Sequence, residues 1–307
     1  MKPLIGPGIL SGGPTWRNHR KIANPSYSKK AVQEFSAVFN KEADSLVKFL
    51  LKKDPNKTFN IYTDVVESTT QCVCQTLMGL SKEESLNVRK LNEIVAKTPR
   101  MYDFIFMTMT KWWFHIPIVR WLTGRDKQQD SYIKRIDEMI SDIVEKRRKV
   151  LQKQERNENS LAIVDRYILS GELSEQEIKW ESFSLFTTSQ EAGAKIASAV
   201  LLFLAHLPEW QEKVYNEIIE VLGSEGYVTY EELNKLSYLD MVYKEALRYL
   251  SIAALIQRTV EEEITINEGK ITLPVGTSLV IPIHYVHRDA RYWDEPYKVM
   301  PERFLPE

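Results

Sequence analysis

The chain has 307 residues, 43% of them hydrophobic and 10% aromatic, which is ample to fill a packed core and excludes intrinsic disorder. Its 41 Lys and Arg against 42 Asp and Glu give a formal net charge of −1, so the broad basic footprint of a nucleic-acid binder is missing. The two cysteines, Cys72 and Cys74, exclude a disulfide framework and a four-cysteine zinc site, and point to reduced thiols in a protein facing the cytosol.

The opening, MKPLIGPGILSGGP, is rich in Gly and Pro, has one Lys and lacks the apolar run of a signal peptide. Val32, Phe35, Val38, Phe39, Leu46, Phe49 and Leu50 then trace a helical stripe that stops at Lys52-Lys53-Asp54-Pro55. A second helix is expected from Asn60 to Gly79. Ser81 with Glu84 forms a capping-box pattern for a third, predicted to stop near Thr98-Pro99. The stretch Met101 to Leu122, MYDFIFMTMTKWWFHIPIVRWL, suits a membrane-dipping entrance for lipophiles and equally an ordinary packed face.

Ile133, Ile136, Met139, Ile140 and Ile143 line one face of the next helix, and the polar run Gln152 to Asn159 reads as a surface linker. Ser174 with Glu177 is a second capping box. It opens a helix of about 30 residues reaching His206, well beyond the usual length. Within it Thr187-Thr188-Ser189-Gln190-Glu191 interrupts the apolar pattern, as a kink or as a place where water or a ligand meets the helix. The best apolar run, Ile196 to Leu207, falls short of the ~18 residues of a membrane span and reads as a buried helix of a soluble chain. Pro208 starts another helix, which stops at Gly223. Thr229 with Glu232 caps the next, and Leu236 to Leu250 is amphipathic. Ile264 to Ile266 and Ile271 to Leu273 around Glu268-Gly269 predict a hairpin, with Leu279 to Ile281 as a further strand. The class is mainly α with a small β region.

Candidate chemistry is sparse. Cys72 and Cys74, two apart on a helix, point to roughly opposite faces and read as structural thiols. Of the five His, only His284 and His287 are close together, with no further ligand type beside them. Glu245 and Arg248 share a helix face. They form either a solvated pair contributing about 0.2–0.5 kcal/mol or, given apolar Val242, Leu247 and Leu250, a partly buried one with Arg303 as a third charge. Trp16, Arg17, His19, Arg20 and Lys21 make a basic, aromatic-tipped segment, either a solvated face or an anion site.

Taken in order, these residues resemble the cytochrome P450 superfamily, in its eukaryotic microsomal, family-4-like branch. Trp16-x-x-x-Arg20 is similar to the motif that holds a haem propionate there. Glu245-x-x-Arg248 is similar to the family's E-x-x-R. Pro301-Glu302-Arg303-Phe304 is similar to its P-E-R-F, led in by His287-Arg288-Asp289, Trp293 and Pro296. The resemblance implies a single partial P450 domain over residues 1–307, cut from something longer at both ends. It implies haem (heme, iron protoporphyrin IX) held at Trp16, Arg20 and Arg258, with Glu245, Arg248 and Arg303 as a structural network. It also implies Glu191 as the acid of oxygen activation, beside Ala192 where the family carries Thr, so that oxygen activation is expected to be leaky. The axial cysteine falls beyond Arg303 and is absent, leaving no metal ligand. The parent activity implied is a haem-thiolate monooxygenase acting on a lipophilic substrate. Electrons would come from NADPH through a flavoprotein reductase docked on Arg17 and Lys21, at the cytosolic face of the endoplasmic reticulum membrane. The alternative is an inactive fragment or pseudoenzyme without thiolate ligation; a helical scaffold without any cofactor is weakened by the ordered motifs.

Overall fold

The computed structural model describes residues 6–10, 13–153, 161–223 and 226–305. Helices carry most of it: α1 Trp16–Ala23, α2 Lys29–Leu50, α3 Ile61–Thr76, α4 Lys82–Leu86, α5 Leu91–Thr110, α6 Pro117–Leu122, α7 Arg125–Lys153, α8 Ile163–Ser170, α9 Glu175–His206, α10 Pro208–Leu222, α11 Tyr230–Leu233, α12 Ser237–Tyr249 and α13 Ile283–Val286. Four strands, β1 Ile256–Thr259, β2 Ile264–Ile266, β3 Ile271–Leu273 and β4 Ser278–Ile281, lie between α12 and α13. The chain divides into two compact units, Met1–Gly193 and Ala194–Glu307, with the boundary inside α9.

The first unit is built on capped helices. Ser28 accepts the Ala31 N–H at the start of α2 (3.3 Å), and Asn60 accepts that of Tyr62 at the start of α3 (3.1 Å), satisfying donors a helix leaves orphaned. The stripe predicted on α7 is buried: Met139, Ile140 and Ile143 pack with Met78, Tyr167, Phe183 and Phe186 in one apolar cluster. The Ser81–Glu84 capping box forms, but α4 lasts only to Leu86. The chain turns through a left-handed Lys90 (φ 59°) and restarts as α5, which runs through Pro99 to Thr110. The stop predicted at Pro99 does not occur. Ile94, Thr98, Met101 and Phe104 recur at helical spacing and are all buried, and that packing outweighs the hydrogen bond a proline removes. The linker expected at Gln152–Asn159 falls mostly outside the described residues.

α9 is unbroken over 32 residues. Its polar run does not interrupt it: Thr188 Oγ1 bonds back to the Ser184 carbonyl at 2.7 Å, a local contact a helix tolerates.

In the second unit Trp210 and Val214 of α10 meet Met241, Val242 and Ala246 of α12 in a separate cluster. The predicted hairpin is β2–β3, antiparallel with Ile264 opposite Leu273, and its turn passes through positive φ at Asn267, Glu268 and Gly269. β4 pairs antiparallel with β1, Ile281 opposite Ile256. The pattern of β1, Ile-Gln-Arg-Thr, has one apolar residue, so cross-strand bonding rather than alternation defines it. Among the described residues no single helix is long and apolar enough to cross a membrane.

Candidate functional site

The structure brings Glu245, Arg248 and Arg303 together. Glu245 and Arg248 lie one turn apart on α12 and are both fully buried. Their contact is a two-pronged fork, Arg248 Nε to Glu245 Oε2 at 2.6 Å and Nη2 to Oε1 at 2.7 Å. Nη1 also donates to the carbonyls of His287 and Pro296, each at 2.8 Å, and Nη2 to that of Lys298 at 3.0 Å. Glu245 Oε1 further accepts the Met300 N–H at 2.8 Å, and Arg303 Nε lies 3.7 Å from it. A charge pair taken from water is tolerated when every donor and acceptor finds a partner, and here the loop leading to Pro301 supplies those partners from its backbone. The His287 and Pro296 positions thus serve the site through their carbonyls, which residue type does not reveal.

A second polar system lies in the first unit. Glu191 of α9 is buried, and its Oε2 accepts the phenol of Tyr62, from α3, at 2.5 Å. One residue earlier, Gln190 accepts Thr69 Oγ1 on its carbonyl at 3.0 Å and Thr70 Oγ1 on its amide oxygen at 3.2 Å. One turn earlier, Thr187 meets Tyr102 of α5 at 3.3 Å. Burial above all, then the Glu191 hydrogen bond and charge, pushes the Tyr62 phenol well above its ordinary range. Burial also raises the Tyr102 phenol, against the lowering effect of its Thr187 hydrogen bond and with Glu191 adding to the rise. Ala192 is half-buried beside them. Farther up α9, Glu181 Oε1 accepts His19 Nδ1 at 2.7 Å and the Ile9 N–H at 3.0 Å. His19, between Trp16 and Arg20 on α1, is thus turned inward, while Trp16 stays 42% exposed. Sequence reading missed Tyr62, Thr69, Thr70, Tyr102 and the His19–Glu181 contact, because their partners are 80 to 170 residues away and share no motif.

Arg20 lies over the Tyr27 ring at 5.3 Å, and no carboxylate pairs with it among the described residues. On the second unit, Arg258 is exposed and its Nη1 donates to the neighbouring Gln257 carbonyl at 2.8 Å. Cys72 is half-buried and Cys74 fully buried on α3. Burial pushes the Cys72 thiol up to about 11, with Glu42 adding to it, and the Cys74 thiol up to about 12. Between α5 and α7, Trp112 is 70% and Trp121 69% exposed, with Ile118 and Leu122 also open.

The sequence profile of the family Cytochrome P450 matches residues 6–307. The chain belongs to the cytochrome P450 family. It is 30% identical over 329 aligned positions to Cytochrome P450 4V2 of Mus musculus, covering 100% of this chain and 61% of that protein. It is 25% identical over 324 positions to Probable cytochrome P450 4s3 of Drosophila melanogaster (99% and 63%) and 26% over 310 positions to Probable cytochrome P450 313b1 of the same organism (95% and 62%). The chain therefore spans about three-fifths of the length of the curated relatives it matches.

The residues fit the haem of this family only in part. On the first unit Trp16 and Arg20 offer N–H donors, and on the second the exposed Arg258 does; among the described residues neither guanidinium pairs with a carboxylate, so each by itself suits an anionic group. The axial position does not fit. Both cysteines of the chain lie on α3, Cys74 in the core and Cys72 half-buried, where burial favours the thiol, whereas the ligand of this family is a thiolate.

Proposed function

We propose that these 307 residues form the helical body and E-x-x-R core of a microsomal, family-4-like P450, and that by themselves they do not sustain haem-thiolate catalysis. The observation that carries this reading is the placement of half-buried Cys72 and buried Cys74 in thiol-favouring positions on one structural helix. In the parent protein, haem would supply the oxidising chemistry of a monooxygenase that inserts one atom of O2 into a lipophilic substrate and reduces the other to water. This chain's residues would do the remainder. Trp16, Arg20 and Arg258 would bind the propionates, Glu191 would organise water beside Ala192, and Glu245, Arg248 and Arg303 would fix the scaffold. Arg17 and Lys21, both exposed on α1, suit an NADPH-dependent reductase with an acidic face. The exposed Trp112 and Trp121 suit a membrane surface at the endoplasmic reticulum. Replacing either by Ser is expected to weaken vesicle binding about tenfold.

The test is to supply haem to the 307-residue chain, reduce it and add carbon monoxide. No thiolate-type Soret band is expected, and its appearance would overturn the reading.

A further inference from the structure

The exposed aromatics between α5 and α7 have an arginine at their base. Beyond the end of α5 at Thr110 the chain makes a single-turn helix, Trp112–His115, then α6, and reverses at Gly124 (φ 68°) into α7. A positive φ is open to glycine at little steric cost, and the reversal brings Arg125, the first residue of α7, back over two rings. Its guanidinium stands 3.9 Å from the centre of the Phe114 ring and 4.4 Å from that of Phe104. Nη2 also donates to the Phe104 carbonyl at 2.9 Å and to Thr108 Oγ1 at 3.2 Å. One side chain thereby ties the start of α7 to the last turns of α5 and to the single-turn helix between them. In the run Trp112-Trp113-Phe114, the phenylalanine under the guanidinium is half-buried and both tryptophans are exposed. Burial, then the Arg120 charge, lowers Arg125 from its ordinary value, yet a guanidinium stays charged at any working pH.

We propose that Arg125 is the positioning residue of this surface: stacked on Phe114 while bonded to α5, it holds the segment from Trp112 to Leu122 in one pose, its tryptophans turned outward to meet a lipid surface. The inference rests on the reading of that segment as membrane-facing and adds what fixes its shape. Lipid is the occupant its chemistry fits. Phe106, Met109, Trp112, Ile118, Trp121 and Leu122 are all exposed, more than the scattered single side chains of an ordinary surface. Tryptophan puts an apolar body and an N–H at the headgroup boundary. Lys111 lies over the Trp113 ring at 5.5 Å with no carboxylate partner among the described residues, whereas Arg120 is paired with Asp126. An unpaired ammonium beside an apolar patch complements anionic headgroups. A loop that must be ordered as it binds loses affinity in proportion to the time it spends outside the binding pose. A clamp that orders it beforehand therefore strengthens binding without touching lipid.

Two readouts on the 307-residue chain separate the clamp from the membrane. Hydrogen exchange at the amides of Phe114 and Ile116, which donate to the carbonyls of Lys111 and Trp113, reports the pose without lipid. Partitioning onto vesicles of phosphatidylcholine, alone or with phosphatidylserine, reports binding. Arg125→Lys keeps the charge, but an ammonium cannot cover two rings and reach both acceptors from one plane. It is expected to speed exchange at both amides about tenfold. It should also weaken partitioning about three- to tenfold on vesicles of phosphatidylcholine alone, where charge attraction plays no part. Phe114→Leu removes one ring at similar bulk and should speed exchange at Ile116 likewise, with the double variant no worse than the worse single one. If Arg125→Lys fails to fold, Phe114→Leu carries the test. Unchanged exchange in whichever variant folds would overturn the clamp, and faster exchange with unchanged partitioning would overturn its part in binding. If the wild type binds neither vesicle while exchange still rises in the variants, the membrane reading has failed and the Arg125 assignment stands.

Discussion

Glu245 and Glu191 are both buried acids on long amphipathic or core helices, but they are satisfied in different ways. Glu245 is gripped by a residue one turn away and by a loop that folds back over it, with Arg248 making five hydrogen bonds, two to Glu245 and three to loop carbonyls. Glu191 takes its phenol donor from a helix formed much earlier in the chain, and the adjacent Gln190 and Thr187 also face donors on α3 and α5. The first arrangement is local, charged and bidentate. The second is distributed over three helices, with a phenol among the donors to the acid. It follows that the first should fail catastrophically when one member is removed, and the second by degrees.

The comparison is broken most severely at Arg248. Arg248→Leu leaves Glu245 buried without its cation, which costs about 3–5 kcal/mol, and three loop carbonyls lose their donor as well. The expected outcome is loss of the cooperative unfolding transition of the second unit in urea. Arg248→Lys should recover only part of it, because an ammonium cannot reproduce the two-pronged contact. Full stability in Arg248→Lys would show that the fork geometry is unimportant.

His19 gives an intermediate case. It donates to Glu181 at 2.7 Å across 162 residues, and among the described residues Glu181 Oε2 has no hydrogen-bond partner. His19→Ala removes one of the two donors to Oε1 and should cost about 2 kcal/mol, read as a lower urea midpoint with an unchanged m-value. Because His19 anchors the helix that carries Trp16 and Arg20, the same variant should also weaken haem uptake. A stability loss with unaltered uptake would separate α1 anchoring from the anion-binding role.

These differences explain what was legible in the sequence. Capping boxes at Ser81, Ser174 and Thr229, the stripe Ile136, Met139, Ile140 and Ile143, and the Glu268-Gly269 hairpin are local patterns, and the fold follows them. Glu245, Arg248 and Arg303 were legible because spacing on one helix and a short downstream motif encode most of the contact. Pro99 misled because burial at Thr98 and Met101 is a tertiary effect invisible to a local rule. Tyr62 gave no signal at all: an isolated tyrosine in a helix that also buries Val65, Val73 and Cys74 looks like packing until α9 is placed against it.

The smallest expected effect concerns the thiols on that same helix, and it tests whether α3 is as tightly packed as its contact with Glu191 requires. Cys72 and Cys74 are raised to about 11 and about 12 by burial, whereas an unfolded thiol ionises near 8.5–9. The folded state therefore holds the two protons after the unfolded state has released them. Stability from this source is complete below about pH 8.5 and declines as pH rises toward the folded values. By about pH 9.5 each thiol should account for roughly 1 kcal/mol of lost stability, before the tyrosines begin to contribute. Cys74→Ala should be less stable than wild type at neutral pH, through the small cavity it leaves, and yet lose less on going from pH 8 to pH 9.5. The two stability curves should converge across that window. Parallel curves would mean that the thiols reach solvent in the folded protein, and that α3 is too loosely held to orient Tyr62.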